Sequence, residues 1–240
     1  MSQRLLKPEE VEEYRRVVGN YHPNDQIVVN FARSKFGVIA GPTGAGKDTL
    51  RNALVQDPNF VKILSTTSRP MRDGEEDGVE YHFRNLRFFD RGIEQQRFLQ
   101  VALVHNQQLA CLDFADIEQL NSEKIAIAIL TVQIEIELRK LNPDMKTIFI
   151  IPPSKAELLN RINKEDHKMH EDEIARRLQA AKIELEIALG QPSYYCIVND
   201  DINRIVNLTN NFFKNSIIDK AEDKKAREAI NAVINELGAN

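Results

Sequence analysis

The sequence predicts an α/β fold in which helices cover both faces of a mainly parallel sheet. Short apolar runs rich in β-branched and aromatic residues alternate along the chain with stretches that have the period of an α-helix. This alternation is typical of parallel strands joined by crossover helices. The chain has 240 residues, of which 42% are apolar, and can bury one substantial core with a small lid and terminal extensions.

Five apolar runs are predicted to be buried strands, because each is short and dense in residues that favour strands. They lie at residues 36–40, 61–64, 125–130, 147–151 and 194–198. Helix signals lie between them. Ser154 and Glu157 follow two prolines with the spacing of a capping box and predict a helix that continues to about residue 162. A second helix carries apolar residues three and four apart and is predicted to end at Gly190.

Two segments lie outside this pattern. Residues 1–35 form an N-terminal extension with a charged helical stretch at 8–18, followed by the turn-rich sequence NYHPND. Residues 214–240 are predicted to form a C-terminal helix whose apolar residues share one face, namely Ile217, Ala221, Ala229, Ile230, Val233 and Leu237. We expect this helix to dock on its own domain. A terminal helix that binds a partner or a second copy of the chain is the alternative.

Composition and charge exclude several classes of function. The net charge is −4 and no long stripe of Lys and Arg occurs, which argues against a general nucleic-acid-binding protein. Cys111 and Cys196 give no disulfide framework and suit a reducing compartment. The first residues lack the apolar core of a signal peptide, and no apolar run approaches the length of a membrane span. We therefore expect a cytoplasmic protein that has no membrane or nucleic-acid partner.

The segment GPTGAGKDTL at residues 41–50 has the pattern of a phosphate-binding loop. Gly41, Gly46 and Lys47 satisfy G-x-x-x-x-G-K between an apolar strand and a helix, as in folds of the P-loop NTPase type. The glycines allow backbone N–H groups to point toward phosphate oxygens, and Lys47 is expected to offset charge on the β- and γ-phosphates of ATP. The predicted ATP-binding residues are Gly41, Pro42, Thr43, Gly44, Ala45, Gly46, Lys47, Asp48 and Thr49. We expect an exposed Lys47 side chain; the alternative is a tight turn that binds no ligand.

A second motif follows at residues 67–83, TSRPMRDGEEDGVEYHF. It resembles the nucleotide-monophosphate loop of the guanylate kinase family, T-[ST]-R-x-x-[KR]-x-x-[DE]-x-x-G-x-x-Y-x-[FY], at every fixed position. The matching residues are Thr67, Ser68, Arg69, Arg72, Glu75, Gly78, Tyr81 and Phe83. The segments at 148–162 and 184–202 also resemble the family. The parts that the resemblance predicts are a guanylate-kinase-like domain at 36–213, a small monophosphate-binding region at 66–112 and a short lid at 163–173.

The resemblance implies an enzyme that transfers the γ-phosphoryl group of ATP, with magnesium, to a nucleoside monophosphate, and GMP is the leading acceptor. Arg69 and Arg72 lie three residues apart, and two guanidinium groups can bind one phosphate dianion in a planar, bidentate way. By resemblance, Arg69, Arg72 and Tyr81 hold the acceptor phosphate, and Arg177 reaches the phosphates from the lid side. Lys47 and Arg177 are the predicted catalytic residues, which act by neutralising charge.

The sequence departs from the family at residues that, in the family, recognise the acceptor nucleotide. Gln100 stands where the family has a glutamate that accepts hydrogen bonds from guanine, and Cys111 stands where it has a hydroxyl. Ile129 and Thr131 replace two aspartates of the family. The predicted acceptor-binding residues are Arg69, Arg72, Glu75, Tyr81, Gln100, Cys111 and Thr131. These departures leave two alternatives, a kinase for another small phosphate ester and a guanylate-kinase-like module that binds proteins.

The sequence contains two sets of candidate metal ligands. Asp48 occupies the position where a Ser or Thr hydroxyl normally helps to hold magnesium, and a carboxylate can also ligate this hard cation. One hypothesis is that Asp48 binds magnesium in place of the missing acids; the other is that it caps a helix that starts at Thr49. His167 and His170 in the lid have no clear third ligand, and we expect them to be solvated.

Overall fold

The computed structural model describes residues 3–104, 106–113, 123–165 and 171–238 of the chain. In chain order the elements are α1 (Pro8–Gly19), α2 (Asp25–Ala32), β1 (Phe36–Ala40), α3 (Lys47–Leu54), β2 (Phe60–Lys62), β3 (Thr66–Thr67), β4 (His82–Phe83), α4 (Leu86–Glu94), β5 (Phe98–Val104), β6 (Gln108–Asp113), β7 (Ile125–Ile129), α5 (Val132–Leu141), β8 (Lys146–Ile151), α6 (Lys155–Glu165), α7 (Glu171–Leu189), β9 (Tyr194–Val198), α8 (Ile202–Asn215) and α9 (Lys220–Gly238). Each predicted strand is present within one or two residues of its expected bounds, so the α/β prediction is confirmed. None of the helices described is long and apolar enough to span a membrane.

The main sheet places the phosphate loop at its carboxyl edge. Five parallel strands pair in the order β2-β7-β1-β8-β9. β1 lies at the centre, where Val38 pairs with Ala128 on β7 and with Thr147 on β8. Every residue of β1 is buried, which explains why this strand is a continuous apolar run in the sequence. The loop that follows Ala40 therefore leaves the sheet at the edge where open α/β sheets bind ligands.

A second, smaller sheet accounts for much of residues 66–112. Its strands pair in the order β4-β3-β6-β5, with antiparallel β3–β6 and β5–β6 pairs and a parallel β3–β4 pair. Its apolar cluster consists of Phe89, Phe98, Val101, Leu109 and Cys111. The sequence predicted a separate region here but none of its strands. β3 and β4 are each two residues long and show no apolar alternation, whereas β5 and β6 are seven and six residues long and were overlooked.

The N-terminal extension contains the predicted helix and one that was not predicted. α1 coincides with the charged stretch 8–18, and its Tyr14 and Val18 pack against the apolar cluster of the second sheet. α2 follows the turn-rich segment and begins where the Asn24 side chain accepts hydrogen bonds from two backbone N–H groups, at 2.9 and 3.3 Å. Ile27 and Phe31 anchor α2 in the main core. Tertiary packing therefore holds an eight-residue helix whose pattern was too short to predict.

The C-terminal segment forms α9, which begins at Lys220 rather than at the predicted residue 214. α8 extends to Asn215, and the chain then turns through Ser216 in the left-handed region (φ 58°). The buried face of α9 consists of Glu222, Ala226, Ile230 and Val233. The prediction of the apolar face was wrong for its first two residues, because Ile217 and Ala221 are exposed.

α9 docks on the edge of the main sheet in its own domain, as expected. Asp223 Oδ1 accepts a hydrogen bond from the Cys196 N–H (2.8 Å), and Glu222 Oε1 accepts one from the Val198 N–H (3.2 Å). Both donors belong to β9, an edge strand of the sheet. The helix thereby gives partners to backbone groups that a sheet edge leaves unpaired.

The predicted lid lies between α6 and α7. α6 begins after Ser154, whose Oγ accepts a hydrogen bond from the Glu157 N–H (3.2 Å), as expected of a capping residue. α7 ends at Leu189, directly before Gly190, as predicted. Residues 163–165 and 171–173 belong to the two helices. Residues 166–170, with His167 and His170, lie outside the described residues.

Candidate active site

The phosphate loop joins β1 to α3 in a conformation that requires glycine. Gly41, Gly44 and Gly46 have φ angles of 145°, 78° and 89°. A Cβ atom at Gly46 would lie 2.4 Å from Nδ2 of Asn199, and this amide donates a hydrogen bond to the Ala45 carbonyl (2.6 Å). Asn199 follows β9 directly, so a residue at the end of the edge strand β9 helps to fix the shape of the loop.

Arg161 on α6 lies beside the same loop. Its Nη2 donates a hydrogen bond to the Asn199 carbonyl (3.0 Å), and its Nε donates one to Glu157 Oε1 (2.7 Å). Its Nη1 lies 3.8 Å from the position that a Cβ atom at Gly46 would occupy. A guanidinium group in this place adds positive charge where a polyphosphate would bind. Sequence reasoning did not single out Arg161 or Asn199, although both lie in segments that resembled the family.

Lys47 folds over its own loop. Its ammonium group donates hydrogen bonds to the carbonyls of Gly41 (2.7 Å) and Pro42 (2.8 Å). The expectation of an exposed side chain was wrong, since these bonds leave Lys47 half-buried. Glu184 on α7 lies within electrostatic range. Burial raises the pKa of Glu184, and the positive charge of Lys47 opposes that rise. The lysine therefore sits at the mouth of the loop, where phosphates would arrive.

Asp48 does not cap a helix. α3 begins at Lys47 with Gly46 in the cap position, so the hypothesis that Asp48 caps a helix starting at Thr49 is wrong. Instead, Asp48 Oδ1 accepts a hydrogen bond from Nη2 of Arg51 at 2.6 Å, three residues further along α3. The Asp48 side chain is 69% exposed, whereas that of Arg51 is 5% exposed. The spacing of three residues in a helix allows such a pair, but the sequence analysis did not consider Arg51.

The second motif forms a loop in which Glu75 holds Arg69. Nη1 and Nη2 of Arg69 donate to the two carboxylate oxygens of Glu75, each at 2.6 Å, and the Arg72 N–H donates to Oε2 at 2.7 Å. Burial raises the pKa of the Glu75 carboxyl, but the hydrogen bonds from Arg69 and Arg72 outweigh it, and the net shift is downward. The guanidinium of Arg69 also lies 5.2 Å from the ring centroids of Tyr81 and Phe83. Glu75 is thus a positioning residue for Arg69.

The phosphate loop and the second motif approach each other through Asp48, Arg51 and Tyr81. Burial raises the pKa of Tyr81, and the negative charge of Asp48 raises it further, whereas the positive charges of Arg69 and Arg51 lower it. Arg51 in turn lies within electrostatic range of Glu80 and Lys62. Tyr81 therefore lies within electrostatic range of groups on α3 and of Arg69. Residues of the phosphate loop and of the second motif are thus neighbours in the fold.

Three of the residues at altered family positions, Gln100, Cys111 and Thr131, were predicted to bind the acceptor, and they lie in different surroundings. Gln100 lines a cavity of about 350 Å³ together with Gln133 on α5 and Arg15 on α1. Cys111 is 1% exposed within the apolar cluster of the second sheet. Thr131 caps α5, where its Oγ1 accepts a hydrogen bond from the Ile134 N–H at 3.4 Å. Their contact with an acceptor stays a prediction, and burial favours a packing role for Cys111.

Arg177 lies on α7, on the face that approaches the phosphate loop. Its Nε donates a hydrogen bond to Glu173 Oε1 (3.0 Å), and the side chain is 16% exposed. Arg177 and Glu184 are two helical turns apart and so share one face of α7. Because Glu184 lies within electrostatic range of Lys47, this part of α7 is near the loop. The catalytic role of Arg177 stays a prediction.

Asp48 fits a magnesium ion that arrives with a nucleotide. Among the described residues, no cluster of three or more His, Cys, Asp and Glu side chains could hold a metal ion. Magnesium commonly binds through one or two carboxylates together with substrate phosphates and water. The exposed carboxylate of Asp48 could supply one such oxygen, since its bond to Arg51 uses Oδ1. The donor set therefore suits a metal shared with phosphates.

Comparison with known proteins identifies relatives of the chain. The family model described as guanylate kinase matches residues 33–216. A guanylate kinase from Caldanaerobacter subterraneus subsp. tengcongensis is 34% identical over 170 residues, which are 70% of this chain and 81% of the relative. A guanylate kinase from Myxococcus xanthus is 36% identical over 170 residues, 70% of this chain and 79% of the relative. The crystal structure of guanylate kinase from Anaplasma phagocytophilum has a TM-score of 0.59 at 23% identity, covers 78% of this chain and 87% of its own, and has the same fold.

Proposed function

The chain belongs to the guanylate kinase family, and from that premise we propose that it transfers the γ-phosphoryl group of ATP to GMP. The observation that supports the proposal is that Tyr81 lies within electrostatic range both of Asp48 and Arg51 beside the Lys47 loop and of Arg69, which Glu75 holds. In-line phosphoryl transfer requires a donor site and an acceptor site that meet in this way. The protein is thus a nucleoside monophosphate kinase.

On the donor side, Lys47 is the residue that neutralises charge on ATP. The carbonyl oxygens of Gly41 and Pro42 hold its ammonium group at the mouth of the loop. A phosphate oxygen is a stronger acceptor than a neutral carbonyl, so an arriving triphosphate would compete well for the same donors. Arg161 and Arg177 add further positive charge near the loop. Catalysis then depends on positioning and charge stabilisation, without a covalent enzyme intermediate.

On the acceptor side, Arg69 keeps donors for a phosphate group. A guanidinium group has five N–H donors. Glu75 accepts two hydrogen bonds from Arg69 and the Pro70 carbonyl accepts a third (2.9 Å), which leaves two donors. Arg72 is exposed and can approach the same phosphate, and the Tyr81 hydroxyl can add a neutral donor. Because Glu75 and two aromatic rings restrain Arg69, little conformational entropy is lost when the acceptor binds.

We propose that magnesium is the metal cofactor. Asp48 would hold it together with phosphate oxygens and water, which is the usual form of a magnesium site in kinases. Bound magnesium would neutralise negative charge on the β- and γ-phosphates. The protein contributes one carboxylate and the shape of the loop.

GMP is the proposed acceptor because the relatives are named guanylate kinases. Gln100 replaces a carboxylate with an amide, whose oxygen can still accept and whose nitrogen can donate. The site would therefore bind guanine less strongly than one that has a carboxylate at this position. The intact Lys47 loop argues against the alternative of a protein-binding module.

We further propose that the protein acts on free nucleotides in the cytoplasm, without a nucleic-acid or membrane partner. The net charge of −4 supports this assignment. An oligomer would have to use a surface other than the apolar face of α9, because Ala226, Ile230 and Val233 already pack within the chain.

A coupled assay of ADP release over a panel of nucleoside monophosphates tests the proposal. The panel contains GMP, dGMP, AMP, CMP and UMP at fixed ATP and magnesium, with Lys47→Ala as the inactive control. We expect ADP release with GMP above all others and none with Lys47→Ala. ATP binding without ADP release for any acceptor would instead identify a binding module, and preference for another phosphate ester would identify a different kinase.

A further inference from the structure

Arg51 is a charged residue in a buried position of α3. The helix buries Leu50, Arg51 and Leu54, and Arg51 is 4% exposed. Its Nε is buried and has no hydrogen-bond partner. Burial lowers the pKa of the guanidinium, and the nearby charge of Asp48 opposes that shift. A leucine or methionine would fill this place without leaving a buried donor unpaired, so packing alone does not explain an arginine here.

The guanidinium of Arg51 is directed toward the active site by its bond to Asp48. Nη2 donates to Asp48 Oδ1 at 2.6 Å, and the carboxylate that it holds is largely exposed. Asp48 follows Lys47 directly, so it lies at the N-terminus of α3, where a polyphosphate binds. Most ion pairs between neighbouring turns of a helix have two exposed partners. This pair combines an exposed acid at the loop with a base anchored in the core.

The negative charge of Asp48 would repel the phosphates of a nucleotide, and the positive charge of Arg51 offsets it. A Ser or Thr at this position is neutral and does not repel the phosphates of ATP. A carboxylate in the same place repels them, and although solvent screens the exposed carboxylate of Asp48 in part, the two negative charges come close together when ATP binds. Arg51 carries the compensating charge within hydrogen-bond distance, so that the pair as a whole is neutral.

We propose that Asp48 and Arg51 act as one charge-compensated unit that takes the place of the neutral hydroxyl residue of the phosphate loop, with Arg51 as the positioning residue. This inference rests on the proposed function in that the donor is a nucleoside triphosphate. The positive charge of Arg51 offsets the negative charge of the Asp48 carboxylate and holds that carboxylate in one orientation. The loop can therefore bind the polyphosphate with or without its metal ion. Arg51 acts through Asp48 and is not itself a catalytic residue.

A double-mutant cycle tests the unit through binding as well as activity. The variants are Arg51→Leu, Asp48→Ser and the two combined, and calorimetry measures ATP affinity in magnesium-free buffer and with magnesium. We expect Arg51→Leu to weaken magnesium-free ATP binding by about tenfold or more, because it leaves Asp48 uncompensated. Adding Asp48→Ser to Arg51→Leu should restore affinity to within about threefold of the wild type, since both charges are then removed. Only a coupled unit gives this rescue.

A folding check, a substitute variant and a control cycle complete the test. The melting temperature of each variant shows whether it is folded, and Arg51→Met replaces Arg51→Leu if that variant does not fold. Lys224→Leu and Glu228→Ser form a matched control, because these residues make an exposed helical ion pair on α9 (3.9 Å). We expect no change in ATP affinity in the control cycle.

The outcomes separate this inference from the proposed function. ATP affinity that is unchanged in Arg51→Leu, or a loss that Asp48→Ser does not rescue, overturns the inference even if the wild type phosphorylates GMP. If Asp48→Ser rescues ATP binding in Arg51→Leu but the wild type does not phosphorylate GMP, the inference holds and the proposed acceptor is overturned.

Discussion

Glu75→Gln removes the carboxylate that holds Arg69 while it preserves the size of the side chain. In the wild type, Glu75 accepts two hydrogen bonds from Arg69 and one from the Arg72 N–H. An amide has one oxygen acceptor, and its NH₂ group would face the N–H donors of Arg69. At least one charge-assisted hydrogen bond is therefore lost and a donor–donor contact is created. Both side chains are largely buried, at 15% and 10% exposure, so solvent screens this pair only weakly.

The size of the effect follows from the bonds that are lost. A hydrogen bond to a charged group contributes about 1.5–3 kcal/mol. Glu75→Gln is expected to remove about 2–3 kcal/mol of the interaction that orders Arg69. Binding of the acceptor must then supply this free energy, and KM for GMP should rise by about 30- to 150-fold. KM for ATP should change by less than about threefold, because Lys47 and its loop are untouched.

Steady-state kinetics with each substrate varied in turn measures this difference. Glu76→Gln is the matched control, because Glu76 is the exposed neighbour of Glu75 and makes the same change of charge. The control should leave both KM values unchanged. A folded Glu75→Gln enzyme whose KM for GMP lies within twofold of the wild type would refute the positioning role of Glu75.

Four further results are expected. Lys47→Ala should abolish phosphoryl transfer and weaken ATP binding in calorimetry, and undiminished ATP binding would contradict the loop assignment. The variant should also melt at a slightly lower temperature, because the Lys47 side chain donates hydrogen bonds to two loop carbonyls. Ile230→Ala should lower the free energy of unfolding by about 2–5 kcal/mol in urea titrations, and a loss below about 0.5 kcal/mol would mean that α9 is not docked. Cys111 and Cys196 should resist alkylation in the native protein and react in denaturant, because both are buried and burial raises the pKa of Cys196 to about 12. Rapid labelling of either cysteine in the native protein would contradict this. The pKa of Glu75 in the folded protein lies below the ordinary value of 4.5. The contribution of Glu75 to folding stability should therefore be complete above pH 4.5 and should be lost as the pH falls through the folded-state pKa. A Glu75 pKa above 4.5 in carboxyl NMR would contradict this.

The sequence predicted the main sheet well for a physical reason. Strands of a parallel sheet are buried on both faces, so β1 and β9 are unbroken apolar runs with bounds that can be predicted. In the second sheet, β3 and β4 escaped prediction because they are two-residue strands that pair only with β6 and with each other. β5 and β6 are long enough to predict but were overlooked. α2 was missed because a short helix depends on tertiary packing, here through Ile27 and Phe31.

Candidate site residues could be predicted where they belong to a sequence motif. They could not be predicted where they approach the site from distant parts of the chain. The sequence singled out Lys47 and Arg69 as candidates because their motifs have a specific spacing. Glu184 and Asn199 reach the same loop from α7 and from the end of β9, and no sequence pattern links them to Lys47. Arg51 could have been found, since a base three residues after an acid in a helix indicates an ion pair.

The central claim is that the Lys47 loop and the Arg69 loop form one site in which ATP and GMP meet. Binding of a bisubstrate analogue, in which adenosine and guanosine are joined through five phosphates, tests it most directly. If the two loops share a cleft, calorimetry should give an affinity at least about 100-fold tighter than that of ATP or GMP alone. Lys47→Ala and Arg69→Ala should each abolish that gain. An affinity equal to that of ATP alone, unaffected by Arg69→Ala, would contradict the claim.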